Sequence, residues 1–315
     1  MRRTYLEFEE GLRALDRARD AARAQGDGAT EAQLAREIDE HARQVCAGLT
    51  PWQRVQMSRH IDRPFTLDYV GGLCGEFVEL HGDRSFGDDA AIVAGLALRG
   101  DRPLAVVGHQ RGRGTAEKVR RNFGMPRPEG YRKARRIFQL AARSGLGLLT
   151  FVDTQGAFPG TESEERGIAE AIAGCIAELS GLPVPIVTVV IGEGGSGGAL
   201  ALAVSDTLLM LEHACLAVIS PEGCASILER QRSPELIARA ADSLALTAPR
   251  LLELGVADEL VAEPVGGAHR DPAATIHAVG EAIDRAFVHL EGIPARALRA
   301  RRDARLRAIG QAAVR

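Results

Sequence analysis

Five glycines fall within seven consecutive positions of this chain, at Gly192, Gly194, Gly195, Gly197 and Gly198. They follow an apolar, β-branched run at residues 185–190, which predicts a buried strand, and precede an apolar run at residues 199–204, which predicts a helix. Glycine lets a ligand approach bare backbone amides, and a helix N-terminus adds unpaired N–H groups at the positive end of its dipole. Residues 191–200, the glycine segment, therefore predict a main-chain cradle for an anion or an oxyanion.

Close packing and nucleotide binding also select glycine-rich turns. A helix packed tightly on a sheet needs glycine at the contact, although five glycines, each with an entropic cost, are more than that requires. The dinucleotide fingerprint G-x-G-x-x-G is met at Gly192, Gly194 and Gly197, but Asp206 comes too early to be the acidic residue that ends the next strand. The phosphate loop fails because no lysine follows Gly198. A backbone oxyanion hole is the better hypothesis.

Ser196 gives the glycine segment a second possible chemistry. Residues 194–198 match the pattern G-x-S-x-G of a serine nucleophile on a strand-to-helix turn. His109, His213 and His269 are candidate bases, yet no spacing in the sequence places any of them beside the serine. A serine hydrolase is the weaker hypothesis.

A second strand-to-turn passage with small residues occurs at residues 151–160, here called the Gln155 turn, which contains Gly156 and Ala157. Taken alone it is an ordinary turn in which Asp153 bonds nearby amides. Two such turns, each ending a buried strand, suit a site that directs two amides at one oxygen. We expect the Gln155 turn to face the glycine segment.

Residues 111–136 are strongly basic, with only Glu117 and Glu129 in opposition. Such a run is a solvated face or a surface for a polyanion, such as the phosphates of a nucleotide-tailed substrate or nucleic acid. Aromatic residues are sparse within it, which disfavours stacking of single-stranded nucleic acid. Its cations are Arg111, Arg113, Lys118, Arg120, Arg121, Arg127, Arg132, Lys133, Arg135 and Arg136.

The composition excludes several classes of protein. The net charge of −3 over 315 residues favours neither nucleic acid nor membrane partners, and no apolar run approaches the roughly 20 residues of a membrane span. The N-terminus has no apolar signal region, and the five cysteines contain no C-x-x-C pair. We expect a cytoplasmic protein without a disulfide framework or a metal site.

The periodicity predicts an α/β core framed by helices. Residues 1–48 predict a helical hairpin, broken at residues 26–28, with Thr30 and Gln33 as the capping box of its second helix. Strands at 91–98 and 104–109 form a hairpin, a helix covers 131–143, a strand covers 147–152, and two short strands lie near 207–211 and 216–219. One helix is expected over 163–179 with Thr161 and Glu164 as its capping box, and an arginine-rich tail ends the chain.

Several strings resemble the α subunit of the bacterial acetyl-CoA carboxylase carboxyltransferase. They include Arg-Asn-Phe-Gly-Met-Pro at 121–126 and Pro-Glu-Gly-Tyr-Arg-Lys-Ala at 128–134, together with residues 63–69, 192–200, 220–228 and 266–270. The similarity covers about residues 1–290. It implies a crotonase-like (ClpP/crotonase) fold of β-β-α units, with an N-terminal helical arm at 1–48, a carboxyltransferase domain at 49–290 and a helical tail at 291–315.

The resemblance also implies a reaction and partners. The carboxyl group passes from carboxybiotin, held on a biotin carboxyl carrier protein, to acetyl-CoA, which gives malonyl-CoA for fatty acid synthesis. The subunit works in an α2β2 assembly whose β subunit carries a zinc ribbon. Carboxyl transfer to another acyl-CoA, decarboxylation by the same cradle, and a non-catalytic binding paralogue are the alternatives.

Site residues follow from the matched motifs. The amides of Gly197, Gly198 and Ala199 would hold the biotin oxyanion, with Gly194 and Gly195 beside them. Gly156 and Ala157 would form the opposite wall, and Arg121 and Arg132 would face the substrate.

The sequence departs from the family pattern at two places. The family turn reads Asp-Thr-Pro-Gly-Ala, but Gln155 stands in place of the proline, which predicts a looser turn. The second departure, at residues 229–232, falls on a predicted surface.

Overall fold

A mixed β-sheet forms the centre of the molecule in the computed structural model, which describes residues 3–228 and 233–311. Within these residues the strands run in the order β1-β2-β3-β4-β5-β6-β8, and β7 pairs with the end of β5. The strands are β1 Glu76–Glu79, β2 Ile92–Arg99, β3 Arg102–His109, β4 Gly147–Thr154, β5 Ile186–Gly195, β6 Thr207–Leu211, β7 Cys215–Ala217 and β8 Glu259–Val261.

Helices cover the sheet and frame it at both ends of the chain. In the described residues, 3₁₀ turns lie at Glu7–Glu9 and Asn122–Gly124. The α-helices are α1 Glu10–Ala24, α2 Gly28–Ala47, α3 Pro51–Ser58, α4 Thr66–Leu73, α5 Gly114–Arg120, α6 Pro128–Ser144, α7 Thr161–Glu165, α8 Ile168–Gly181, α9 Ser196–Ala203, α10 Pro221–Leu228, α11 Pro234–Ser243, α12 Ala248–Glu253, α13 Pro272–Leu290 and α14 Ala295–Ala308. None of these helices combines the length and the apolar character needed to cross a bilayer.

The parallel strands β3, β4 and β5 bring three strand ends to one edge of the sheet. Their continuous apolar runs are buried on both faces, as parallel strands require, with α6 packed on β3 and α9 packed on β4 and β5. The predicted β2–β3 hairpin is confirmed. The glycine segment differs from its prediction, because β5 continues to Gly195. Gly192, Gly194 and Gly195 are therefore strand residues, and only Gly197 and Gly198 lie in the helix that follows.

The N-terminal helical hairpin is confirmed as α1 and α2, but its predicted cap is wrong. The second helix begins at Gly28, and the side chain of Asp27 accepts a hydrogen bond from the amide of Thr30. Aspartate is as good an N-cap as threonine and stands three residues earlier, so it starts the helix first. The arm docks on its own chain, since Arg270 donates to Asp16 at 2.6 Å.

The single helix predicted over 163–179 is also wrong. Two helices, α7 and α8, occupy this region, and they are separated at Gly167, which has φ +76°. A left-handed glycine ends a helix because it reverses the direction of the backbone. No side chain caps α7, so the predicted box of Thr161 and Glu164 does not form.

The arginine-rich C-terminal helix packs on the core through two fully buried side chains, Leu298 and Arg302. Arg302 pairs with Asp206 at 2.7 Å and donates to the carbonyls of Leu179, Leu182 and Val184. Residues 312–315 of the predicted tail lie outside the described residues, and the division of the chain into three segments remains a prediction.

Candidate functional site

The glycine segment and the Gln155 turn are in direct contact at the carboxyl edge of the sheet. Thr154 pairs with Gly194 where β4 and β5 end. A Cβ added to Gly195 would meet the carbonyl of Gln155, and one added to Gly198 would stand 2.5 Å from the amide nitrogen of Ala157. The structure thus brings the two predicted walls together.

Close packing accounts for four of the five glycines. A Cβ would overlap Asp153 at Gly192, Leu216 at Gly194, and the backbone of the Gln155 turn at Gly195 and Gly198. At Gly197 the nearest atom belongs to Ile172, at an ordinary 3.5 Å. Packing therefore explains more of this glycine pattern than the sequence indicates.

Three amides at this contact remain available to a ligand. The helix α9 begins directly after Gly195, no side chain caps it, and the first turn of a helix leaves its N–H groups without partners. None of the backbone hydrogen bonds outside helices and strands in residues 3–228 and 233–311 is donated by Gly197, Gly198 or Ala157. Ser196 has φ +56°, so backbone strain is stored at the first residue of this helix.

The serine-hydrolase hypothesis finds no base. His213 contacts Arg54, and His269 contacts Glu9. His109 is fully buried, while Ser196 is exposed and forms no side-chain hydrogen bond within the described part of the chain.

A polar cavity of about 620 Å³ opens beside the two turns. Two of its lining residues belong to the turns themselves: Gln155 to the Gln155 turn and Glu193 to the glycine segment. Lys118 lines it without an ion pair in the described regions, and Phe123 lies in a left-handed conformation at φ +55° with half of its surface exposed. The lining residues are Arg59, Arg111, Gly112, Lys118, Phe123, Gln155, Glu193, Ser220 and Glu222.

A chain of ion pairs runs along this cavity. Arg111 joins Asp153 at 3.3 Å to Glu193 at 2.9 Å, and Arg59 joins Glu193 at 2.7 Å to Glu222 at 2.6 Å. Burial raises the pKa of Asp153, although the charge of Arg111 opposes it. Burial also acts to raise the pKa of Glu222, but the hydrogen bond to Arg59 and its charge hold that pKa below the usual value. The network ties together the ends of α3, β4 and β5 with the start of α10.

Sequence reasoning missed Arg59, Glu193 and Glu222 as cavity residues. Glu193 stands inside the glycine segment, and its acidic side chain among glycines is the signal that could have marked it. The ion-pair partners of Glu193 lie 134 and 82 residues away, so no local pattern links them.

Arg121 and Arg132 lie outside the cavity lining. Arg121 donates to the carbonyl of Ala90 at 2.8 Å, and Arg132 donates to Asp83 at 2.7 Å. Most of the basic segment is used in the same way, because acidic residues from other segments pair with it. The predicted contacts of Arg121 and Arg132 with substrate therefore remain predictions.

The side chain of Thr154 stabilises the Gln155 turn, in which Gln155 occupies the position of the family proline. Its buried hydroxyl donates to the carbonyl of Gly124 at 2.7 Å and accepts from the amide of Gly156 at 3.1 Å. These bonds fix the turn that presents the amide of Ala157.

Replacing Thr154 with valine removes both bonds at constant shape. We expect the free energy of unfolding to fall by about 1–3 kcal/mol, because buried backbone groups lose their partner. Thermal denaturation checks this against Thr161→Val, an exposed threonine for which we expect a change within about 0.5 kcal/mol. Equal unfolding temperatures for the two variants would contradict the assigned role of the hydroxyl.

A buried ion pair supports the start of the glycine segment. Arg63 donates to the carbonyl of Ile191 and pairs with Glu263 at 2.7 Å. Burial acts to raise the pKa of Glu263, but the charge of Arg63 and its hydrogen bonds lower it to about 2. The ionised pair therefore stabilises the folded chain.

Because the folded-state pKa of Glu263 is depressed, its contribution to stability is complete above about pH 4.5 and disappears as the pH falls towards 2. The lowering from 4.5 to about 2 corresponds to about 3 kcal/mol. Denaturant unfolding at a series of pH values measures it, with Glu263→Gln expected to flatten the curve between pH 4.5 and 2. The exposed Glu253→Gln serves as control, and an unchanged slope in Glu263→Gln argues against this assignment.

Residues of metal-ligand type meet where the arm reaches the core. The carboxylate of Glu9 lies 3.0 Å from Nε2 of His269, whose ring stacks on His60 at 3.8 Å between centroids. The possible ligand atoms of Glu9, His60 and His269 lie within 4.8 Å of one another, a spacing that could hold a metal ion. Stacked imidazole rings are nevertheless poorly oriented for it, because each binds a metal in its own plane. This cluster fastens the arm to the core, and the expected absence of a metal site stays a prediction.

Solved structures of similar shape include carboxyltransferases and decarboxylases. The malonate decarboxylase MdcD–MdcE hetero-dimer of Pseudomonas superposes with a TM-score of 0.60 at 20% identity, over 76% of this chain and 95% of that chain. Transcarboxylase 12S superposes with a TM-score of 0.55 at 20% identity, over 68% of this chain and 41% of that longer chain. These likenesses show the fold, which is the crotonase-like fold of the carboxyltransferases, and the predicted fold class is confirmed.

Sequence comparison then identifies the family. This chain belongs to the acetyl co-enzyme A carboxylase carboxyltransferase-like family, which matches residues 4–310. The acetyl-coenzyme A carboxylase carboxyl transferase α subunit of Ralstonia nicotianae is 48% identical over 319 aligned positions, covering 99% of this chain and 98% of that protein. The α subunit of Burkholderia multivorans matches equally well. The resemblance inferred from the motifs is confirmed, and the chain is a carboxyltransferase subunit of an acyl-CoA carboxylase.

Proposed function

We propose that this subunit binds the carboxybiotin end of the carboxyl-transfer reaction that forms malonyl-CoA from acetyl-CoA. One observation carries the proposal: the uncapped first turn of α9, with Gly197 and Gly198, lies against the Gln155 turn, where the amide nitrogen of Ala157 is 2.5 Å from the position of a Cβ on Gly198. Such amides stabilise an oxygen that becomes negative, most strongly where water is excluded.

The residues present fit this ligand. Carboxybiotin on its carrier protein supplies the carboxyl group and leaves negative charge on the ureido oxygen. The amides of Gly197 and Gly198 donate to that oxygen, with Ala199 behind them and Ala157 on the opposite wall. Their position at the N-terminus of α9 adds the positive end of the helix dipole.

The cavity beside the turns suits the rest of the ligand. Its volume of about 620 Å³ lies in the range of small-molecule sites. Lys118 gives its rim positive charge for the carboxyl group, while Gln155 lies where the cavity meets the turn. Bound carboxybiotin would supply the base through its ureido nitrogen, so this chain need not provide one for the methyl proton of acetyl-CoA.

Partners complete the reaction. We propose a zinc-ribbon β subunit in an α2β2 assembly, which binds acetyl-CoA and holds its enolate, and a biotin carboxyl carrier protein as donor, all in the cytoplasm. The fold likeness to a Pseudomonas malonate decarboxylase hetero-tetramer in complex with coenzyme A supports a two-subunit site.

The test measures transfer of labelled carboxyl from carboxybiotin on its carrier to acetyl-CoA. The chain is assayed alone, with a zinc-ribbon β subunit, and with the β subunit and a longer acyl-CoA. We expect labelled malonyl-CoA only when both subunits are present. Complex formation without transfer would support a non-catalytic paralogue. Release of labelled CO₂ without acyl product would support a decarboxylase. Faster transfer to the longer acyl-CoA would show that acetyl-CoA is not the preferred substrate. Each of these results overturns the proposal.

A further inference from the structure

Two fully buried polar atoms beside Gly198 have no hydrogen-bond partner in the described residues. The hydroxyl of Tyr131, on α6, stands 2.8 Å from the point that a Cβ on Gly198 would occupy. Nε2 of His109, at the end of β3, is also unpartnered, and the backbone of Gly198 lies next to this ring. Both side chains have 0% exposure.

An unsatisfied hydroxyl in the core costs stability, and phenylalanine would fill the same space without that cost. The hydroxyl of Tyr131 is therefore not explained by packing. Its place is specific, since the atoms nearest to the same point on Gly198 are the amide nitrogen of Ala157 and the carbonyl carbon of Gly156. The hydroxyl of Tyr131 thus lies at the contact between the glycine segment and the Gln155 turn, on the side that faces the protein interior.

His109 lies between the same contact and strand β4. Its Nδ1 lies 3.4 Å from the amide of Asp153, which donates to it, so the proton of the neutral ring sits on Nε2. Burial lowers the pKa of His109 to about 3, although the backbone of Gly198 and Phe151 opposes this, and the ring is neutral at ordinary pH. The backbone of Gly198 interacts with this buried ring.

We propose that Tyr131 and His109 are positioning residues. Their polar side chains pack against Gly198 from inside the protein and keep the amides of the glycine segment at the correct distance from Ala157. This inference rests on the proposed function and adds residues that do not touch the substrate.

Tyr131→Phe tests the hydroxyl, with Tyr69→Phe as matched control. Tyr69 is equally buried and its hydroxyl is equally unpartnered, but it stacks on Phe151 and is not among the nearest contacts of Gly198. With the β subunit present we expect Tyr131→Phe to lower kcat about tenfold, to leave KM for acetyl-CoA and for the carrier within twofold, and to keep or raise the unfolding temperature. Tyr69→Phe should leave kcat within twofold.

Equal kcat in the two variants overturns the role of Tyr131, and so does a fall in kcat that comes with a lower unfolding temperature. Wild-type transfer is measured in parallel. Its absence would refute the proposed function, whereas an active wild type with an equally active Tyr131→Phe refutes only the positioning role.

His109 is tested by comparing His109→Gln, which keeps a donor, with His109→Leu, which has none. We expect the glutamine variant to retain several times more transfer than the leucine variant at a similar unfolding temperature. Equal rates in the two variants overturn the role of His109.

Discussion

Replacing Gly198 with alanine should reduce carboxyl transfer by about 10²-fold, because the added side chain displaces the amides that would bind the oxyanion. The added Cβ would stand 2.5 Å from the amide nitrogen of Ala157 and 2.7 Å from the carbonyl carbon of Gly156. Both atoms are backbone, so the two turns must move apart, and displacement of a reacting geometry by an ångström costs about 10²-fold. The rate of labelled malonyl-CoA formation with the β subunit measures the effect. The valine variant should abolish transfer.

Gly197→Ala is the matched control for this prediction. It makes the same chemical change one residue earlier in α9, but its Cβ would lie 3.5 Å from Ile172, an ordinary contact. The backbone amide at position 197 is kept, so we expect transfer within about twofold of wild type. Size-exclusion chromatography with the β subunit confirms that both variants assemble. Full activity in Gly198→Ala would show that the oxyanion is bound elsewhere.

Local residue patterns predicted the central parts of the fold. The β2–β3 hairpin, the helical arm and the strand that leads into α9 each follow from a periodicity and a turn signal within about 20 residues. The errors are local as well: Asp27 caps a helix ahead of Thr30, and Gly167 splits a helix whose apolar pattern is continuous. Competing signals a few residues apart decided these boundaries.

The contact between the two turns was predicted from their shared position after buried strands. The reason for the glycines was only partly right, because packing against the Gln155 turn requires most of them. The ion-pair chain through Arg111 and Arg59 could not be predicted, since it joins residues from four separate elements. The excess of cations along residues 111–136 likewise predicts an unpaired basic surface. In the folded chain, acidic residues from other segments pair with most of these cations.

A second large effect is expected at the C-terminal helix, where Arg302→Ala should lower the free energy of unfolding by about 3–5 kcal/mol. The side chain is fully buried, and its removal leaves Asp206 as an uncompensated buried charge. It also removes the donors to the carbonyl of Leu179 in the last turn of α8 and to those of Leu182 and Val184 between α8 and β5. Denaturant unfolding monitored by circular dichroism measures the loss.

The control for this variant is Arg307→Ala on the same helix, where the arginine is exposed and pairs with the exposed Asp303. An exposed pair contributes about 0–1 kcal/mol, so stability should barely change. Arg302→Leu combined with Asp206→Leu should recover part of the lost stability, because no charge remains buried, but not all of it, because the three carbonyls still lack donors. If Arg302→Ala were as stable as wild type, other contacts, such as that of the buried Leu298, would hold α14 to the core, and Arg302 would be dispensable. The expected loss would instead make it part of the core that fixes β5, and through β5 the amides of the glycine segment.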